Sequence, residues 1–196
     1  MRFLHTGDWH LGKALRHQRR DDEFQAALWE VLDIARYERV DCLLVAGDVF
    51  DSVAPPPEAE HLAFEFFREL AGAGIPAIIV GGNHDHPRRM DAFGRVLELV
   101  GIRILGEAVP ASRGGIVQLP SRDREQAATI ALLPWISERR ARTFEGLALG
   151  QGMAEYAERV ALFMAGLARH FSDDTANVLV AHVMVDGALV GGEAAG

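Results

Sequence analysis

Cys42-Leu43-Leu44-Val45-Ala46-Gly47-Asp48-Val49-Phe50-Asp51 is an apolar run that stops abruptly at glycine and is followed at once by two carboxylates. A short apolar run bounded by a turn signal reads as a buried strand. The same pattern occurs on both sides of it. Upstream, Arg2 to Thr6 reads as a strand that leads into Gly7-Asp8-Trp9-His10. Downstream, Ala77 to Val80 leads into Gly81-Gly82-Asn83-His84-Asp85, so three successive strands deliver polar residues just past their carboxyl ends.

Helical periodicity fills the intervals. From about Asp22 to Tyr37, Phe24, Leu28, Val31, Leu32 and Ala35 recur on one face. Pro55-Pro56-Pro57 opens a second helix, as proline does at a first turn, with Leu62, Phe66 and Leu70 inward and a stop at Gly72 or Gly74. Strands alternating with helices imply right-handed crossovers and a largely parallel sheet, whose ligands bind outside the carboxyl ends of the strands. Beyond Asp91 the reading is a short helix to Val100 and strands near Ile102–Leu105, Ile116–Leu119 and Thr129–Leu133. A long helix follows from about Gly152 to His170, and a last strand, Asn177 to Ala181, delivers His182.

A chain of 196 residues with 49% hydrophobic and 24% charged content suits one ordinary globular domain. No apolar run reaches the length of a bilayer span, and Met1 to Thr6 lacks the features of a secretory signal, so a cytoplasmic location without membrane attachment is expected. Cys42, the sole cysteine, sits in an apolar strand and reads as a buried hydrophobe rather than a ligand. A formal net charge of −8 excludes coating of nucleic acid by bulk electrostatics but leaves room for a local basic groove.

The chemistry gathers in four strand-end clusters: Asp8 and His10; Asp48 and Asp51; Asn83, His84 and Asp85; and His182. Carboxylates, imidazoles and one amide oxygen form a mixed donor set that suits manganese, iron or zinc better than calcium. Such a set implies two adjacent ions with one carboxylate shared, an arrangement that can activate a water and clamp phosphoryl oxygens.

The order Asp-x-His, Gly-Asp-x-x-Asp, Gly-Asn-His-Asp and an isolated histidine resembles the calcineurin-like metallophosphoesterase superfamily. The resemblance implies a four-layer α/β/β/α sandwich over residues 1–196. By position, Asp8 and His10 resemble ligands of the first ion, Asp48 the bridge, and Asn83 and His182 ligands of the second. His84 resembles the histidine that does not ligate but protonates the leaving oxygen. Asp51 and Asp85 read as supporting groups, the first bracing its loop and the second orienting His84, or as ordinary loop caps. His86 is expected to line the site without ligating, and His5, His17, His61 and His170 have no motif support.

The connecting residues Leu4-His5-Thr6-Gly7-Asp8-Trp9-His10-Leu11-Gly12 and Val45 to Ser52 resemble the SbcD nuclease branch, with Gly7 where serine is usual. Protein phosphatases instead carry arginine and glutamate where this chain has Ser52 and Asp85. That branch implies an exonuclease on duplex ends and an endonuclease on single strands or hairpins, in DNA repair and recombination. It also implies two divalent ions, typically Mn²⁺, an SbcC-type ATPase partner, and a homodimer within a heterotetramer. Lys13, Arg16, Arg19, Arg20, Arg88 and Arg89 flank the motifs and could meet DNA phosphates, or form a solvated charged loop. The branch also has a Gly-His-x-His motif that does not follow His182 before Gly196, so the domain is expected to be incomplete at that end. A small-molecule phosphodiesterase or phosphatase and an inactive fragment are the competing readings.

Overall fold

The computed structural model describes residues 1–137 and 153–185. The first sheet is wholly parallel and runs in the order β1 (Phe3–Thr6), β2 (Cys42–Ala46), β3 (Ala77–Val80), β4 (Ile102–Leu105). α1 (Asp21–Tyr37), α2 (Pro57–Gly72) and α3 (Pro87–Leu97) connect these strands. α1 starts with Asp21, Asp22 and Glu23, acids that suit the positive end of the helix dipole. α2 starts with Pro57, whose missing N–H falls where no intrahelical bond is needed.

Alternation along the strands makes the layers. Leu43 and Val45 of β2, Ala77 and Ile79 of β3, and Ile102 and Ile104 of β4 join a core with Leu28, Leu32, Leu62, Phe66 and Leu70 from the helices. The intervening residues Cys42, Leu44, Ile78 and Val80 face the other way and pack against Ala128, Ile130, Leu132 and Val180 of a second sheet. That sheet has the order β5 (Ile116–Pro120), β6 (Ala127–Leu133), β7 (Ala176–Ala181), antiparallel and then parallel. Leu133 and Ile136 are buried with Tyr156, Val160, Phe163 and Met164 of α4 (Met153–Ala168). Helix, sheet, sheet and helix form the four expected layers.

The expected single parallel sheet is corrected in its second half: β5 and β6 are a hairpin, so this strand pair has no crossover helix. Element bounds otherwise move by a residue or two. α4 ends at Ala168, and His170 lies in the turn after it. The expected helix start at Gly152, and Asp186 onward, lie outside the described residues.

Candidate metal centre

All four clusters meet at one end of the two sheets. Parallel pairing puts the ends of β1, β2 and β3 side by side, and backbone bonds lock the loops that leave them. Asp8 N–H donates to Gly47 O, His10 N–H to Asp48 O and Leu11 N–H to Val49 O, each at 3.0 Å. Trp9, between the two expected ligands, turns inward instead. Its ring lies edge-on to Phe66 of α2, centroids 5.3 Å apart, and its indole N–H donates to Thr6 Oγ1 at 3.0 Å. The aromatic anchor therefore leaves Asp8 and His10 on the other side of the loop. β7, in the second sheet, brings His182, whose N–H donates to Leu133 O at 3.0 Å.

Asp48 is the centre of the arrangement and is 3% exposed. Its Oδ1 accepts from His84 N–H at 2.9 Å. Its Oδ2 lies 3.7 Å from His10 Nε2 and 3.6 Å from His182 Nε2. Two groups of ligand atoms, each within 4.8 Å, share this carboxylate: His10, Asp48 and His84 on one side, Asp8, Asp48 and His182 on the other. The expected pairing of Asp8 with His10 is thus rearranged, because Asp8 gathers with His182. Asn83 Oδ1 is 3.0 Å from His182 Nε2 and so falls on that same side.

Two of the imidazoles have assignable tautomers. A carbonyl oxygen can only accept, so His182 Nδ1 donates to Ala46 O at 2.7 Å and His84 Nδ1 donates to Asp51 O at 2.7 Å. In the neutral ring this leaves His182 Nε2 as an acceptor, facing the Asn83 and Asp48 oxygens. Acceptors that converge without a donor are the natural surroundings of a cation. His10 adds to this: its Nδ1 is buried without a hydrogen-bond partner, 3.2 Å from Asp51 Oδ1 but outside bonding geometry. The donor set and its geometry fit divalent metal.

Backbone constraint completes the site. Asp8, His10 and Asp48 all have φ near +50°, a region that non-glycine residues enter at a cost of about 1–3 kcal/mol. A Cβ at Gly82 would lie 2.0 Å from Asp48 Oδ1 and 2.3 Å from Asp48 N, and one at Gly47 would lie 2.2 Å from His182 Nδ1. Only hydrogen at these two positions admits the side chains.

The roles expected of Asp51 and Asp85 are exchanged. Asp85, 2% exposed, accepts from Gly82 N–H at 2.8 Å, Phe50 N–H at 3.0 Å and Val49 N–H at 3.2 Å, tying the β2 and β3 loops together. Burial pushes its carboxyl above the ordinary value, and the three N–H donors oppose the shift. Asp51 orients His84, through its carbonyl rather than its carboxylate. His86 caps α3, accepting from Arg89 N–H at 3.4 Å, and does not line the site. The carbonyls of Ala46 and Asp51 were invisible to sequence reasoning, since every residue has one. Trp135, whose ring meets His182 edge-on at 6.2 Å, also escaped it.

Most of the flanking cations are already paired. Arg19 meets Asp21 and Glu58, Arg20 meets Glu23, Arg89 meets Glu60 at 3.2 Å, and Arg88 lies 3.9 Å from Glu107. Lys13 and Arg16 are exposed with no ion pair among the described residues.

A four-layer α/β/β/α sandwich with a carboxylate and histidine cluster at its strand ends defines a metallophosphoesterase, and the chain belongs to the calcineurin-like phosphoesterase family, whose model matches residues 1–151. Within that family it is similar to SbcD, the smaller-lettered half of the SbcCD nuclease, of Bacillus subtilis, 31% identical over 95% of this chain and 48% of the relative. The Escherichia coli K12 protein of the same name is 36% identical over 71% of this chain and 34% of its own length. The DNA double-strand break repair protein Mre11 of Sulfurisphaera tokodaii is 37% identical over 46% of this chain and 24% of its own. The chain thus spans about half the length, or less, of these relatives. The crystal structure of TT1561 of Thermus thermophilus matches with a TM-score of 0.54 over 93% of this chain and 67% of its own, at 17% identity, a likeness of fold.

Proposed function

We propose that this chain is the catalytic core of a two-metal phosphodiesterase that cuts DNA, as the nuclease partner of an SbcC-type ATPase. The observation that carries the reading is the single oxygen Asp48 Oδ2, placed 3.7 and 3.6 Å from imidazole nitrogens that arrive from different sheets. A carboxylate so placed suits a bridge between two ions. His10 serves one ion, Asn83 and His182 serve the other, and Asp8 reaches the second group from the exposed rim. When bound, the ions supply an activated water and offset phosphoryl charge. The mixed oxygen and nitrogen donors suit Mn²⁺.

The protein's own part in the reaction is proton delivery and positioning. His84 is the general acid: its Nδ1–H is held by Asp51 O, so its Nε2 is the atom left to protonate the departing alkoxide. Its backbone N–H, on Asp48 Oδ1, ties acid and bridge to one loop. Lys13 and Arg16 are the side chains available to DNA phosphates, more so than the four paired arginines.

Relatives named as a nuclease and as a DNA double-strand break repair protein support DNA as the substrate, and the two-part name SbcCD supports a partner chain. The ATPase character of that partner, and a homodimer within a heterotetramer, follow from the resemblance to the SbcD branch. Action in the cytoplasm accords with the N-terminal sequence, and among the described residues no helix is long and apolar enough to cross a membrane. The test compares duplex ends, DNA hairpins, bis(p-nitrophenyl) phosphate and p-nitrophenyl phosphate with Mn²⁺, for the chain and its Asp48→Ala variant. Diester and DNA cleavage, lost in the variant together with both ions, is the expected result. Retention of two ions and turnover by Asp48→Ala refutes the bridge, and cleavage confined to the monoester makes the protein a small-molecule phosphatase.

A further inference from the structure

The end of the sandwich opposite the metal centre holds a second concave feature. Where β1 and β2 begin and the β5–β6 hairpin turns, an open cavity of about 440 Å³ is lined by Arg2, Glu38, Arg39, Asp41, Arg122 and Asp123, with Met1 and Ser121. Its size lies within the range of small-molecule sites, roughly 300–1,000 Å³.

The lining holds three carboxylates and three guanidinium groups, but their charges are not equally available. Asp41 is 9% exposed, and its two oxygens accept from Arg2 N–H at 2.6 Å and Arg122 N–H at 2.7 Å. Asp123 accepts from Ser121 Oγ–H at 2.5 Å and Glu125 N–H at 3.0 Å, and the Ser121 bond above all holds its carboxyl below the usual range. Glu38 is paired with Arg2 at 2.9 Å. Every carboxylate therefore has a partner within the protein. Arg39 and Arg122 have none for their guanidinium groups among the described residues, so the charge left facing the cavity is positive.

Backbone conformation points to the same place. The non-glycine residues with positive φ are Asp8, His10, Asp48, Arg16, His17, Arg39 and Arg124. The first three belong to the metal centre and the next two to the loop beside it. Only Arg39 and Arg124 remain. Arg39 follows the end of α1 at φ 50°, a position where glycine is strongly preferred, and Arg124 sits at φ 61° in the hairpin turn that carries Arg122 and Asp123. Strained residues of this kind persist where function demands the side chain.

We infer that this cavity binds a small phosphorylated ligand, a phosphate monoester of mononucleotide size, through the Arg39 and Arg122 guanidinium groups, at the opposite end of the domain from the metals. Planar forked donors match phosphate oxygens two at a time. The concave shape suits a compact anion rather than a strand, which needs an extended basic track.

The experiment is calorimetric titration of inorganic phosphate and of dAMP into the chain in EDTA, so that the metal centre contributes no phosphate affinity and its own reading is not at issue. Saturable binding of both is expected, at least 10-fold weaker in Arg122→Ala and in Arg39→Gly. Arg39→Gly carries a second readout: relief of the left-handed strain should raise Tm by roughly 2–4 °C in a domain of this size while binding falls, which separates ligand contact from misfolding. Absence of saturable binding, or equal affinity in both variants, overturns the site. A (dT)₁₀ oligomer bound more tightly than dAMP overturns the small-ligand assignment in favour of a polynucleotide strand.

Discussion

Gly82→Ala should dismantle the metal centre without removing any ligand. The added methyl would stand 2.0 Å from Asp48 Oδ1, 2.3 Å from Asp48 N and 2.6 Å from Asp48 Cγ. Real contacts of a Cβ essentially never fall under 3.0 Å, so the two groups must separate by roughly 1 Å. Rotation of the carboxylate could relieve the first clash but not the second, since the backbone nitrogen is held by the loop bonds of β2. The β2 and β3 loops must therefore part. That opens the His84 N–H bond to Asp48 Oδ1 and the Gly82 N–H bond to Asp85, now 2.9 and 2.8 Å. It also moves Oδ2 away from its place between His10 and His182. Overpacking of this kind costs about 1–3 kcal/mol, a fall in Tm of roughly 2–12 °C. Displacement of a ligand's support weakens metal binding by about 10–100-fold. Equilibrium dialysis with Mn²⁺ and a thermal melt in EDTA measure the two effects separately. Gly72→Ala is the control, since a methyl there meets nothing within 4 Å and alanine favours the helix end. A Gly82→Ala protein with wild-type Mn²⁺ affinity would refute the cradle.

Three further outcomes follow from the same geometry. His84→Ala should keep its metal content and slow diester cleavage by roughly 10²–10⁴-fold, less on a substrate whose leaving group needs no proton; metal analysis beside rates on two leaving groups checks this. Asp85→Ala leaves the Val49, Phe50 and Gly82 N–H groups without their acceptor, so it should lower stability by several kcal/mol in urea melts, more than Asp51→Ala; the reverse order would contradict the structural role given to Asp85. Burial pushes the Cys42 thiol up to about 12, so it should stay unreactive to a disulfide reagent at pH 8 until the chain unfolds. The folded pKa is the higher one, so this group's contribution is intact below the unfolded thiol's pKa and is lost as pH rises toward about 12. Cys42→Ala should flatten the stability curve over that window.

Local pattern was enough for the parallel sheet and for the addresses of its functional residues. An apolar run such as Cys42 to Ala46 is legible because burial on both faces demands it, and Gly47-Asp48 is legible because a strand must end before a charge can stand free. The same logic located Asp8, His10, Asn83, His84 and His182, each a short distance past a strand. Pairing across space was not legible. Asp8 gathers with His182 rather than His10, because β7 belongs to a second sheet whose packing no periodicity specifies. Asp85 proved to knit two loops, and Asp51 to steer His84 through its carbonyl, because hydrogen bonds to backbone groups leave no trace in residue identity. Gly82 reads in one dimension as a turn residue. Only the three-dimensional approach of Asp48, to where a single methyl would stand, makes it a condition of the site.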